Sequence, residues 1–259
     1  MSFSLLARFA QRTKQSILMA SIQHQELVKG WETLLTEFSL LPIHDQTESD
    51  FVPEINRLLE DFDGKLNGWR DEQKIRADDF NILRTMNLSR KELCHSNILA
   101  WLLDPKGTHA QGTVGFRLFL NQIKLPENFA NLNYHVIREL SCDESQIDIV
   151  IEAEGEFIIG IENKIDAEEG DTQTEREWRD LQRRKKCLSI QREVTALFLT
   201  PGGTSPLSNF FKPISWQIVA NVFEEFADEA KAGMVKMFAK HYAETIKHEI
   251  VVEIEEDKT

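Results

Sequence analysis

Hydrophobic spacing divides the chain into a helical first part and a mixed second part. Apolar positions recur at helical intervals over residues 4–40. Ile55, Leu58, Leu59, Phe62, Leu66 and Trp69 repeat that pattern over residues 54–75. Between these stretches, Leu41–Pro53 gathers Pro, His, Asp, Thr and Ser, which predicts a break. Residues 1–75 are therefore expected to form a helical N-terminal region packed on the rest, and residues 76–259 the core.

From about residue 80 the periodicity changes. Ser89–Leu103 reads as a helix, with Ser89 as N-cap and Glu92 three residues on, the spacing of a capping box. Asp104-Pro105-Lys106-Gly107 stops it. Phe116–Ile123 is again helical. Three strand signals follow, at Tyr134–Leu140, Gln146–Ala153 and Glu156–Ile165; in the second, Ile147, Ile149 and Ile151 alternate with Asp148, Val150 and Glu152. Thr172–Leu188 is a long charged helix. Glu193–Leu199 is a further strand, closed by Thr200-Pro201-Gly202-Gly203, and helices run from Ser215 to about residue 248. A strand meander followed by a helix and another strand predicts an α/β core, a mixed sheet with helices on both faces.

Composition narrows the class. With 259 residues, 41% hydrophobic, the chain is long enough for a sizeable core. Its 16 Phe and 5 Trp argue against a disordered chain. Apolar runs such as Ile98–Leu103 and Phe157–Ile161 are core-sized, far below the roughly 20 residues that span a bilayer. The opening MSFSLLARFAQRTKQ lacks the apolar region of a signal peptide, so a soluble, cytoplasmic protein is expected. Cys94, Cys142 and Cys187 are odd in number and widely spaced, which fits neither a disulfide framework nor a structural zinc site.

The formal net charge of −13 weighs against a high-affinity, non-specific nucleic-acid coat protein, but not against a nucleic-acid enzyme, because local charge matters more than the sum. Arg176–Arg192 carries seven Arg and Lys against Glu177 and Asp180. That run is either a solvated helix face or a surface for phosphates.

The sharpest chemistry lies in the hairpin Gln146–Ile165. Gly155 is the turn residue in Glu154-Gly155-Glu156. A three-residue turn there pairs residues so that Asp148 lies opposite Glu162, with Lys164 on the same face. Opposed residues have Cβ atoms roughly 4.5–5.5 Å apart. Two carboxylates so placed repel unless a cation sits between them. Mg²⁺ takes one or two carboxylates with phosphate and water, and a lysine beside it can orient or deprotonate the attacking water. The set therefore suits phosphodiester hydrolysis. The competing reading is a solvated strand face with an ordinary Glu–Lys pair. Ile147, Ile149, Ile161 and Ile165 make the hairpin central, so its charges need a reason.

Asp148 followed by Glu162-Asn163-Lys164 resembles the PD-(D/E)XK nuclease superfamily. A longer match sharpens the resemblance to one bacterial family within it. Asp79-Phe80-Asn81-Ile82-Leu83 and Glu92-Leu93-Cys94-His95-Ser96-Asn97-Ile98-Leu99-Ala100-Trp101-Leu102-Leu103-Asp104-Pro105 are followed by Thr108-His109, Glu162-Asn163-Lys164-Ile165, Gln173 and Leu199-Thr200-Pro201. The resemblance covers about residues 79–245. Two positions depart from it: Ile147 stands where a proline is usual, and Ala110 where a glycine is expected.

The resemblance implies a restriction-endonuclease-like fold over 76–259 and an Mg²⁺- or Mn²⁺-dependent nuclease acting on DNA, with RNA as the other candidate. Asp148 and Glu162 would hold the metal, the Asn163 carbonyl would offer a third ligand, and Lys164 would be the catalytic lysine. Glu92 matches an acid that some members bring to the metal; its rival role is the capping box. Glu92, His95, Ser96, Leu99 and Leu103 share a helical stripe that should face inward, with His95 and Ser96 either supporting the site or simply buried. Gln173 either lines the site or is a polar residue at a helix start. Arg176, Arg179 and Arg183 would face nucleic acid. A catalytically inactive nuclease fold that binds protein or nucleic acid, and an unrelated α/β interaction module, remain as alternatives. A recruiting protein partner or a homo-oligomer would suit so acidic a nuclease.

Overall fold

The computed structural model describes residues 48–77 and 80–251. The helical stretch expected over residues 4–40 lies outside them. The chain divides into two units, Met1–Phe80 and Asn81–Thr259. In the first, helix α1 spans Glu48–Arg76. It starts earlier than the sequence suggested, because Pro53 removes a single ladder donor and does not stop the helix. Lys65–Asp61 and Lys74–Asp71 ion pairs line its surface.

The second unit holds a five-stranded mixed sheet in the order β1 (His135–Ser141), β2 (Gln146–Ala153), β3 (Phe157–Asn163), β4 (Thr195–Thr200) and β5 (Lys212–Ser215). The first three strands are antiparallel neighbours; β4 and β5 run parallel to β3. Helix α2 (Ile82–Thr85), α3 (Glu92–Leu103) and α4 (Val114–Gln122) precede the sheet. Helix α5 (Gln173–Cys187) crosses from β3 to β4, and α6 (Trp216–Glu229) and α7 (Gly233–Ile246) follow β5.

The hairpin register is the one the turn dictates. Gly155 takes the left-handed conformation at φ 74°, and Ile149 pairs with Ile161, Val150 with Gly160 and Ala153 with Phe157. Alternation then sends Ile149, Ile151, Ile159 and Ile161 to one face, where they pack with Leu99, Phe116, Trp216, Phe223 and Tyr242. Val150 and Ile158 go to the other face, against Leu181 of α5. Both faces are covered, so every residue of β3 is buried.

Two boundaries correct the sequence expectations. Helix α3 begins at Glu92 with Lys91 at the cap position and no side-chain cap, so the Ser89 capping box does not form. The Glu92 side chain binds backbone beyond β3 instead, while the Ser89 carbonyl meets His95 Nε2 at 2.8 Å. Strand β5 carried no signal, being four residues with Pro213 inside; a sheet edge tolerates such a strand.

Gly160 positions everything that follows. A Cβ there would stand 2.7 Å from Leu181 Cδ1, so the glycine lets α5 lie close on β3. Along that contact α5 aligns with the covered face of the hairpin. Gln173 bonds Glu162 at one end, Leu181 covers Gly160 in the middle, and Arg184 bonds Glu152 at the other end.

Candidate active site

The site lies where β2 begins and β3 ends, beneath the first turns of α5. The Asn163 amide donates to Asp148 Oδ2 at 2.8 Å, which ties the two strands together past their last paired residues. Glu162 is only 2% exposed. Its Oε1 meets Lys164 Nζ at 3.0 Å and accepts from Gln173 Nε2; its Oε2 accepts no hydrogen bond. Gln173 is itself fixed, since its Oε1 accepts from the Gly170 amide at 3.1 Å.

The end of β3 is bolted from the opposite side. Asn163 Nδ2 donates to the Glu92 carbonyl at 3.2 Å and to Ser96 Oγ at 3.1 Å, and its Oδ1 accepts from Trp216 Nε1 at 3.1 Å. The side chain is buried, and its amide group links β3 to α3 and α6. Glu92 Oε1 accepts from the amides of Ile165 (2.8 Å), Asp166 (3.3 Å) and Ala167 (3.2 Å). It thus caps the turn that leaves Lys164 and fixes where that lysine stands.

Electrostatics mark the pocket as unfinished. Burial, then the charge of Asp148, push Glu162 up to about 7. Burial raises Asp148 as well, against the hydrogen bond from Asn163 and the charge of Lys164. Burial pulls Lys164 down, but the Glu162 carboxylate and its hydrogen bond, with Glu92 and Asp148 beyond, hold the ammonium above its ordinary value. Lys164 is thus a protonated donor in the metal-free protein.

Of the residues singled out from sequence, Asp148, Glu162, Asn163, Lys164, Gln173, Glu92 and Ser96 come together. His95 does not join them. Its Nε2–H donates to the Ser89 carbonyl and its Nδ1 accepts from the Tyr242 hydroxyl at 2.7 Å, so both ring nitrogens are used. Burial lowers its pKa, which keeps the ring neutral. It is a satisfied core histidine.

The basic run is paired within the molecule. Arg179 Nε meets Glu144 Oε2 at 2.9 Å; Arg183 binds Glu144 and, at 2.6 Å, Asp180 Oδ1. Those two guanidiniums hold Glu144 down to about 2. Arg176 binds the Asp171 carbonyl and, at 3.1 Å, Thr172 Oγ1. Any nucleic acid must compete with these partners.

The sequence reading passed over Glu177, treating it as a counter-charge in the basic run. It is fully buried and lies against Glu162 and Gln173, its hydrogen-bonding neighbours. Burial, then Glu162, push it up to about 9. The available signal was its place four residues after Gln173, on the same helix face.

Among the described residues no three His, Cys, Asp or Glu side chains form a ready-made metal cage. Mg²⁺ does not need one, since it binds through one or two carboxylates with water and phosphate. The donor set fits such an ion: hard oxygens of Asp148 and Glu162, one of them a buried acceptor without a donor.

A mixed sheet flanked by helices, with Asp148 and a Glu162-x-Lys164 strand end on its central hairpin, defines a restriction-endonuclease-like α/β protein. A family model described as the PD-(D/E)XK nuclease superfamily matches residues 80–254, and the chain belongs to that superfamily. No curated protein and no solved structure matches the chain. Among the described residues no helix is long and apolar enough to cross a membrane.

Proposed function

We propose that the protein is a divalent-metal-dependent nuclease that hydrolyses phosphodiester bonds, with DNA as its substrate and Mg²⁺ or Mn²⁺ as its ion. The observation that carries this reading is the Glu162 carboxylate, buried, bound to Lys164 on one oxygen and without a donor on the other. A buried acceptor left open costs about 1–3 kcal/mol. A cation there would remove that cost. Asp148 and Glu162 hold the ion, with the Asn163 carbonyl as a third oxygen. When bound, the ion neutralises charge on the phosphoryl group and activates water.

The chain's own residues do the rest. Lys164, fixed by the Glu92-capped turn behind it, donates to the attacking water or to the phosphoryl oxygens as charge develops there. Gln173 holds Glu162 in one rotamer. The hydrogen bonds of Glu92 favour positioning over ligation. Because Arg179 and Arg183 are already paired, the protein should bind free DNA weakly and gain from a recruiting partner or a second copy.

The test is cleavage of supercoiled and linear DNA at low salt with Mg²⁺, Mn²⁺ or EDTA, beside Lys164→Ala. Metal-dependent cutting that falls about 10²–10⁴-fold in the variant is expected. Undiminished cutting by the variant would assign the activity elsewhere. A folded wild type that binds no Mn²⁺ and cuts neither DNA nor RNA would favour a binding module built on the nuclease fold.

A further inference from the structure

A phenylalanine is held out into solvent on the edge of the sheet that carries the candidate site. The chain leaves β3 and β4 at that same edge, since the two strands run parallel and the Lys164 amide donates to the Leu199 carbonyl at 2.8 Å. Residues 201–211 follow β4 and come back against α5. There Phe210 stacks on Trp178 of α5, with ring centroids 4.9 Å apart and planes 2° from parallel. Trp178 is partly buried against the cluster of Leu181, Phe198 and Phe211. It covers one face of the Phe210 ring, yet Phe210 stays 53% exposed, so its other face is open.

The loop that presents this ring is braced. The Thr204 amide donates to Thr200 Oγ1 at 2.7 Å, the Phe210 amide donates to Oγ of the buried Ser208 at 3.3 Å, and Phe211 is buried. Glu169 fastens the loop to the site. Its Oε2 accepts from the Leu207 amide at 2.7 Å, and its Oε1 accepts from the hydroxyl of Thr174, the neighbour of Gln173. Trp178 lies five residues beyond Gln173, a rise of about 7.5 Å along the helix. That is about two nucleotide steps at roughly 3.4 Å each. An aromatic face fixed so near the Glu162–Lys164 pair is within reach of the strand being cut.

Charge decides what kind of contact serves there. Arg179 and Arg183 of α5 are already paired with Glu144, so they offer phosphates little. Stacking on a base needs no net charge, because every base has a π face. We propose that Phe210, backed by Trp178, is a stacking platform for an unpaired base of the substrate strand, so that the substrate is single-stranded DNA or a frayed or overhanging end. The proposal rests on the nuclease reading above and narrows its substrate class. A base inside a duplex is stacked on both sides and must be extruded to reach the ring; an unpaired base extends the Trp178–Phe210 stack at once. Phe210 selects the substrate and takes no part in the chemistry.

The experiment measures binding of three fluorescein-labelled probes by anisotropy: oligo-dT, an all-abasic strand of equal length and a blunt hairpin duplex. The full chain is compared with Phe210→Leu and Phe210→Tyr, in EDTA and, on a Lys164→Ala background, in Mg²⁺. The side chain is exposed, so both variants should fold, which thermal melts check. Phe210→Leu should weaken oligo-dT binding about 5–150-fold, and Phe210→Tyr should keep it. The slope of affinity against salt should not change, because no phosphate contact is lost. The abasic strand and the duplex should bind Phe210→Leu and the wild type alike. Equal binding of oligo-dT by the wild type and Phe210→Leu overturns the platform. An equal loss on the abasic strand overturns it too, as does a protein that binds no strand under either condition. Cleavage is read separately: metal-dependent cutting that needs Lys164 but ignores Phe210 keeps the nuclease and removes the platform. Strand binding that needs Phe210, in a protein that cuts nothing with Mg²⁺ or Mn²⁺, overturns the nuclease reading and the platform's part in cleavage with it.

Discussion

The two ends of one hairpin treat a buried glutamate in opposite ways. Glu152 and Glu162 lie on the same face of β2 and β3, 1% and 2% exposed, and α5 covers both. Glu152 receives both arms of Arg184, with Nη2 to Oε1 at 2.5 Å, and His135 Nε2 at 3.0 Å. Glu162 receives one ammonium and one amide on a single oxygen, beside two more acids. A buried charge that is fully paired is structure. A buried charge left short of donors is held there by the rest of the fold, and an open cluster of that kind marks a site that expects a ligand. Distance from solvent is the same at both ends; completeness of pairing separates them.

The sharpest way to break that contrast is to neutralise each glutamate's environment in turn. Glu162→Gln should cut metal-dependent activity by about 10²–10⁴-fold while leaving thermal stability equal or higher, because an uncharged isostere removes a repelled buried charge. Arg184→Ala should do the reverse. It strands Glu152 and should cost about 3 kcal/mol in urea melts. Equal stability losses for the two variants would erase the distinction.

A smaller effect tests how α5 joins the ends. Gly160→Ala places a methyl 2.7 Å from Leu181 Cδ1 and should cost about 1–3 kcal/mol. Lifting the helix should also withdraw Gln173 from Glu162, so cleavage should fall as well. Adding Leu181→Ala should restore part of both, which cleavage rates and melts on the double variant would check. No rescue would mean that the glycine acts other than by spacing.

The least local effect is in pH. Glu162 at about 7 and Glu177 at about 9 both stand above their ordinary 4.5, so the folded, metal-free protein keeps protons that the unfolded chain releases. Their contribution is fully present below pH 4.5 and is lost as pH rises through about 7 and then about 9. Each group can remove at most about 1.4 kcal/mol per pH unit. Melting temperature without metal should fall from pH 5 to 9, and Glu177→Gln should flatten the upper part. A flat wild-type profile would show that the cluster is better solvated than its burial indicates.

Much of the candidate site was legible because it rests on local rules. Gly155 fixed the hairpin turn, strand alternation put Asp148, Glu162 and Lys164 on one face, and the register followed from the turn length. The Ser89 capping box failed because the Glu92 side chain found partners through space, the amides after Lys164. The arginine run was visible, but its pairing with Glu144 was not, since Glu144 sits 35 residues before Arg179 and carries no periodic signal.

The sequence by itself determined the order of elements, the strand faces, the Asp148, Glu162 and Lys164 set and the inward stripe of α3. These depend on neighbours within a turn or a strand, where backbone geometry admits few choices. Only the tertiary structure decided which buried acids are satisfied. Satisfaction depends on atoms that meet across elements: Arg184 over Glu152, no cation over Glu177, and Gly160 letting α5 come close enough for either to matter.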